Sequence, residues 1–114
     1  YREIFLPDII IASSSLQYLE NYKDILKNLL NLNSEYIIIL KTPFNNKMLD
    51  EIYIQKPPKN VYNSAYPSWI FSYETFLINF NEKFVLEEKK IVKPELFKLK
   101  YLNLYFKNKK IKNV

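Results

Sequence analysis

The stretches "PDIIIASSS" (residues 7–15) and "SEYIIILKTP" (residues 34–43) decide the fold of this chain. Each is a short continuous apolar run rich in β-branched residues, which is typical of a strand buried on both faces of a sheet. Proline lacks the N–H that a central strand needs, so Pro43 is expected to end the second strand. The two runs therefore predict neighbouring strands in the interior of a sheet.

The segment between these runs, "NYKDILKNLLNL", predicts an amphipathic helix over residues 22–32. Asn21 suits the N-cap position, and Asp24 lies in the first turn, where a negative charge is favoured. The apolar side consists of Tyr22, Ile25, Leu26, Leu29 and Leu30. A strand, a helix and a strand within about 30 residues form a βαβ unit, so we expect parallel strands joined by a right-handed crossover.

The second half of the chain begins with a strand and a helix. "EIYIQKPP" (residues 51–58) predicts a short edge strand or extended arm that the two prolines end. "SYETFLINFNEK" (residues 72–83) predicts a helix with Phe76, Leu77 and Phe80 on its inner side. Ser72 suits the N-cap, and Phe71 before it is placed to pack on Phe76 as a hydrophobic staple.

Two further strands follow. "FVLEEKKIV" (residues 84–92) predicts a strand that leaves the core after Leu86. "KYLNLYFKNK" (residues 100–109) alternates strictly, with Leu102, Leu104 and Phe106 facing inward, and should pair antiparallel with the preceding strand. Residues 107–114 are predicted to form a basic solvated tail. The fold class expected for residues 1–114 is a single partial α/β domain with a parallel βαβ unit, a helix and an antiparallel last strand.

Composition excludes several kinds of site. The 114 residues include no histidine, cysteine or glycine. Without histidine and cysteine the chain lacks the usual metal ligands and any Ser-His or Cys-His pair. Without glycine it has neither a GxGxxG turn nor a P-loop. No apolar run approaches the about 20 residues that span a bilayer, so a cytoplasmic protein without a membrane segment is expected.

The net charge of +5 raises the question of a nucleic-acid role. Of the 17 basic residues only Arg2 is an arginine, and the lysines are spread along the chain. Arginine is the residue that most often makes bidentate contacts with bases. The charge distribution therefore argues against nucleic acid as the main partner.

The architecture itself points to a site. Ligands of open parallel sheets lie beyond the carboxyl ends of the strands. Those ends carry Ser13, Ser14 and Ser15 in the first strand and Thr42 in the second, although serines can simply terminate a strand. The stretch "YPSW" (residues 66–69) holds the only tryptophan and is expected to form a loop that covers a cleft beside these strand ends.

Three segments together resemble the second half of a class I S-adenosylmethionine-dependent methyltransferase, and more closely a poorly characterised bacterial family of that class. "PDIIIASSSLQYLEN" resembles the fourth strand and its turn, here Leu16-Gln17-Tyr18-Leu19, and "YIIILKTPF" resembles the fifth strand. The most specific segment is "IYIQKPPKNVYNSAYPSWIFSYETF", which resembles an insertion with a proline pair, a tyrosine-proline and a tryptophan before a serine-capped helix.

This resemblance implies methyl transfer from S-adenosylmethionine to an unknown small-molecule or glycan acceptor. It implies that Ser13 and Ser14 lie near the methionine part of the cofactor. The residues that it implies on the acceptor side are Gln17, Tyr18, Thr42, Tyr66 and Trp69. Turn packing is an equally simple explanation of Gln17 and Tyr18. No general base can be assigned, and Tyr18 and Asp50 are both conceivable.

The resemblance also implies that the part of the domain that holds the cofactor is missing from this chain. The family holds the cofactor with a glycine-rich loop after its first strand and an acidic residue after its second, and both would lie upstream of Tyr1. The chain is therefore expected to be a fragment, inactive alone, whose partner is the N-terminal half of the domain. One alternative is a basic binding module for single-stranded nucleic acid, which aromatic residues on the outward face of the last two strands would favour. Another is a catalytically dead interaction unit.

Overall fold

A computed structural model describes residues 8–55, 66–92 and 100–110. These residues form a mixed α/β fold, with two α-helices and a six-stranded, mostly antiparallel sheet. The elements are β1 (Ile9–Ser13), a 3-10 turn (Leu16–Tyr18), α1 (Tyr22–Leu30), β2 (Tyr36–Asn45), β3 (Glu51–Gln55), β4 (Tyr66–Ser72), α2 (Tyr73–Asn81), β5 (Phe84–Val92) and β6 (Lys100–Asn108).

The β1–α1–β2 segment has the predicted parallel arrangement. β1 pairs with β2 in parallel, from Ile9 opposite Tyr36 to Ser13 opposite Leu40. β4 also pairs in parallel with β2, but only further along, at Phe44 and Asn45. β6 pairs with one edge of β2. β1 and β4 pair with the opposite edge, one after the other along the strand. β3 forms the edge of the sheet beside β4, which confirms the predicted edge strand.

The last strand is antiparallel to both of its neighbours, as predicted. β6 lies between β2 and β5, so the strand order on this side is β1-β2-β6-β5. Leu102, Leu104 and Phe106 point into the core and are each at most 5 % exposed. β5 leaves the core after Leu86, because its following residues are mostly exposed.

The prediction that Pro43 ends the second strand is wrong, because β2 continues to Asn45. Pairing with β1 stops at Leu40 and pairing with β4 starts at Phe44, so Pro43 lies in a gap between the two. A residue without an N–H breaks no hydrogen bond on that side of the strand. Next to the gap, Lys41 has a positive φ of 51°, and its N–H donates to Asn103 Oδ1 at 2.9 Å.

Both helices pack on one face of the sheet, where they form the core with the inward side chains of the strands. The ring of Phe80 on α2 stacks on Phe106 of β6 with centroids 3.9 Å apart. The predicted inner side of α1 is confirmed, although the helix ends at Leu30. The predicted N-cap bond of Asn21 is absent, because its backbone at φ −101° and ψ 40° is not the extended conformation that a cap requires.

The start of α2 follows the sequence closely. Ser72 Oγ accepts a hydrogen bond from Thr75 N at 3.3 Å, and the rings of Phe71 and Phe76 lie 5.2 Å apart. Both the predicted cap and the predicted hydrophobic staple are therefore confirmed. The loop predicted for residues 66–69 is instead the first part of β4, in which Tyr66 to Ile70 pair with Gln55 to Glu51 of β3. Aromatic residues have high strand propensity when a partner strand is present.

The other face of the sheet, called the outward face here, is covered by no helix among the described residues. Ile9 and Ile11 of β1 are 51 % and 61 % exposed, so the prediction that β1 is buried on both faces is wrong. Its side towards the helices is covered, with Ala12 buried and Ile10 half-buried. The register aligns Ile9, Ile11, Tyr36, Ile38, Tyr105 and Lys107 on the outward face.

The predicted basic tail begins later than residue 107. β6 runs to Asn108, whose side chain is buried and donates from Nδ2 to Ser34 O at 3.0 Å. Lys109 and Lys110 form an exposed turn, and residues 111–114 lie outside the described part of the chain.

Candidate functional site

The carboxyl end of β1 turns sharply into the 3-10 turn. Ser14 has a φ of 47°, in the left-handed region that costs a residue with a Cβ some strain. Its N–H donates to Leu40 O at 2.9 Å, and its Oγ accepts from Gln17 Nε2 at 2.9 Å. These bonds hold the 3-10 turn against the strand end, while the side chains of Ser13 and Ser15 are exposed.

A cleft of about 380 Å³ lies between this 3-10 turn and the β3–β4 hairpin. Its size is in the range of small-molecule sites. The lining residues are Gln17, Tyr18, Leu19, Glu20, Ile52, Pro67, Ser68 and Trp69. The β3–β4 register places Ile52 opposite Trp69, so one wall comes from the hairpin and the other from the turn after β1.

Trp69 joins the two walls of the cleft. Its indole Nε1 donates to Leu19 O at 3.0 Å, and its ring meets that of Tyr22 edge-on with centroids 5.4 Å apart. An indole with an apolar body and one bonded N–H fits the boundary between core and cleft. Trp69 is therefore both a wall of the cleft and a tie between β4 and the turn.

The structure brings together three of the predicted acceptor-side residues, namely Gln17, Tyr18 and Trp69. Thr42 does not line the cleft: it is 1 % exposed, and its Oγ1 donates to Leu40 O at 3.0 Å. Its burial follows from the continuation of β2 past the expected strand end. Tyr66 belongs to β4, but its side chain lies outside the described part of the structure.

Sequence reasoning missed Leu19, Glu20 and Ile52 as lining residues. Ile52 could have been found from the alternation of "EIYIQ", had the strand partner of that segment been identified as "YPSWI". Glu20 follows directly after the quoted turn, but an exposed carboxylate at a helix start is usually explained by the helix dipole.

Gln17 carries a buried polar atom without a partner. The residue is 2 % exposed, and its Oε1 has no hydrogen-bond donor among the described residues. Buried polar atoms almost always have a partner, so an unpaired acceptor beside a cleft calls for an explanation. A donor supplied by a bound molecule would provide one.

Asp50, which the sequence left open as a base, has a structural role in this fold. Its Oδ1 accepts from Ser72 N at 2.7 Å, and its Oδ2 accepts from the hydroxyl of Tyr22. It thereby joins α1 to the start of α2. Asp50 is also absent from the lining of the cleft. Both carboxylate oxygens therefore serve contacts within the fold, which favours a structural role for Asp50.

Replacing Tyr22 with phenylalanine is expected to lower the free energy of unfolding by about 1–3 kcal/mol, since Asp50 Oδ2 loses its donor. Burial first, and then the Asp50 carboxylate, raise the pKa of Tyr22 above its ordinary value. Because folding raises the pKa of the Tyr22 hydroxyl, this group stabilises the folded state below about pH 10, and its contribution is lost as the pH rises further. Urea unfolding at pH 7 and above pH 10 should show the two proteins converging at high pH. An equal difference at both pH values would contradict this assignment.

Comparison with known proteins finds no matching family model and no curated protein with significant similarity. Within the described ranges no helix is long and apolar enough to cross a membrane. No cluster of three potential metal-ligating side chains occurs there either. The described residues thus define a mixed α/β fold with a small-molecule-sized cleft at the carboxyl end of β1.

Proposed function

We propose that this chain is the acceptor-side, C-terminal half of a class I S-adenosylmethionine-dependent methyltransferase with a Rossmann-like sheet. The observation that carries the proposal is the strand order β1-β2-β6-β5, with β6 antiparallel to its neighbours and β1 parallel to β2. The resemblance implies a seven-stranded sheet in which this chain supplies the last four strands and the final strand inserts antiparallel, and the observed arrangement is compatible with this. The β3–β4 hairpin then corresponds to the insertion that carries the tryptophan.

The outward face gives independent support. Sheets of parallel strands are usually covered on both faces, whereas antiparallel sheets can face water on one side. Here the parallel strand β1 leaves Ile9 and Ile11 more than half exposed, and β2 contributes the half-buried Ile38 to the same surface. An additional layer of helices over this face, together with a strand beside β1, would complete the sheet. The N-terminal half of the domain would supply both.

The residues of this chain do not form a complete site for S-adenosylmethionine. Class I enzymes hold the cofactor largely through backbone at a glycine turn, and this chain has no glycine. The exposed Ser13 and Ser14 at the end of β1 can offer only secondary contacts. Ser14 is already bonded to Gln17. The proposed role of this chain is therefore to bind and orient the acceptor in the cleft formed by Gln17, Tyr18 and Trp69, next to a cofactor held elsewhere.

The proposed docking of an N-terminal half predicts a context-dependent effect of Ile11→Glu. In the 114-residue chain the substitution is on the surface and should change the free energy of unfolding by no more than about 0.5 kcal/mol. In a longer polypeptide that adds the residues encoded before Tyr1, the same carboxylate would be buried and should cost about 2 kcal/mol or more. Urea unfolding of both polypeptides measures the difference.

Ile78→Glu is the matched control, because Ile78 is 63 % exposed on α2, on the opposite layer of the molecule. It should be nearly neutral in both polypeptides. If Ile11→Glu is equally neutral in the longer polypeptide, the outward face is not the docking surface.

A second function has one observation in its favour. The outward face carries Tyr36, Tyr101 and Tyr105 in half-buried positions. The ammonium groups of Lys107 and Lys90 lie 5.8 and 5.9 Å from the ring centroids of Tyr36 and Tyr105. Tyrosines and lysines on one sheet face suit single-stranded nucleic acid. Salt-sensitive binding of oligothymidylate that is lost in Tyr105→Ala would favour this function over helix docking on the same face.

A further inference from the structure

The cleft between the 3-10 turn and the β3–β4 hairpin has an unusual charge for this protein. The chain has a net charge of +5, yet no lysine or arginine is among the described residues that line the cleft. Among the described lining residues Glu20 alone has a charged side chain, and it forms no ion pair with any described residue. The local field therefore favours a cation over an anion.

The polar groups of the cleft point to the same kind of ligand. Gln17 Oε1 is a buried acceptor without a donor, and the carboxylate of Glu20 accepts hydrogen bonds only. The Nε1 donor of Trp69 is already used by Leu19 O. The two groups that these contacts leave available, Gln17 Oε1 and the Glu20 carboxylate, are hydrogen-bond acceptors. A ligand with N–H groups would satisfy them.

The apolar part of the cleft favours a ring. Trp69, Ile52 and Pro67 form a wall along the hairpin, and Tyr18 lies on the wall formed by the turn. Aromatic faces attract both flat apolar rings and organic cations. A volume of about 380 Å³ accommodates a compound of one or two rings.

We propose that the cleft binds a small arylalkylamine, with the ring against Trp69 and the ammonium group towards Glu20 and Gln17. The inference rests on the proposed function and deepens it, because it assigns the acceptor to amines that bind in their protonated form, and that must lose this proton before methyl transfer, rather than to anionic compounds or glycans. It concerns binding only, so it does not require the methyl donor or the N-terminal half.

Trp69 supplies the measurement, since it is the sole tryptophan of the chain. Its fluorescence is followed during titration with 2-phenylethylamine, with phenylacetate as an anion of similar size, and with n-butylamine as a cation without a ring. We expect a saturable change with 2-phenylethylamine and dissociation constants at least about tenfold weaker for the other two. Equal binding of phenylacetate, or no saturable change with any probe, would overturn the proposal.

Glu20→Gln tests the charge assignment. It should reduce the preference for 2-phenylethylamine over phenylacetate at least about threefold, because the attraction of the carboxylate is lost. Glu87→Gln removes the same charge from an exposed position of β5 and should leave the preference unchanged. Failure of the methyltransferase proposal would appear differently, as absent S-adenosylmethionine binding in the longer polypeptide with amine binding intact.

Discussion

Replacing Phe80 with alanine is expected to lower the free energy of unfolding by about 3–5 kcal/mol. Phe80 is fully buried, and its ring stacks on Phe106 at 3.9 Å and contacts Phe76 at 5.4 Å and Phe84 at 6.2 Å between centroids. The substitution leaves a cavity where α2 meets β5 and β6. Because a domain of this size is stabilised by only about 5–15 kcal/mol, the variant should lose a large part of its stability.

Equilibrium urea unfolding measures this effect, and Ile78→Ala on the same helix is the control. Ile78 is 63 % exposed, so its removal should cost no more than about 0.5 kcal/mol. If both variants lose the same stability, the packing of α2 on the sheet is not as described.

Asp50→Ala should have an effect of similar size, about 3–6 kcal/mol, because hydrogen bonds to a charged group contribute about 1.5–3 kcal/mol each and two are lost. The Tyr22 hydroxyl and Ser72 N–H would both lose their acceptor inside the fold. Asp50→Asn retains one acceptor oxygen and should cost clearly less. Urea unfolding of the two variants checks this order.

A double-mutant cycle isolates the contact between Asp50 and Tyr22. The effects of Asp50→Ala and Tyr22→Phe should be non-additive, with a coupling of about 0.5–3 kcal/mol. Additive effects, or full stability of Asp50→Ala, would contradict the structural role and reopen Asp50 as a candidate base.

The parts of the fold that could be predicted from sequence are those whose signals lie in short, continuous stretches of the chain. The apolar runs of β1 and β2 and the alternation of Leu102, Leu104 and Phe106 were sufficient for strand type and direction. The cap at Ser72 and the staple of Phe71 on Phe76 were equally local. These features depend on neighbouring residues, which a single sequence displays directly.

Features that depend on distant partners were not predictable. "YPSW" forms a strand because "EIYIQ" pairs with it. β2 continues through Pro43 because Pro43 lies between the part of β2 that pairs with β1 and the part that pairs with β4. Exposure of Ile11 depends on which layers cover the sheet, and an apolar run does not encode that. In the site, Gln17, Tyr18 and Trp69 line one cleft as expected. Thr42 is buried instead, because β2 continues past the residue at which it was expected to end.

Titration with S-adenosylmethionine, followed by the fluorescence of Trp69, tests the half-domain proposal most directly. The 114-residue chain should show no saturable change at micromolar ligand, because it has no glycine turn to hold the cofactor. The longer polypeptide that adds the residues encoded before Tyr1 should show saturable binding. Tight binding by the 114 residues alone, or none by the longer polypeptide, would contradict the account.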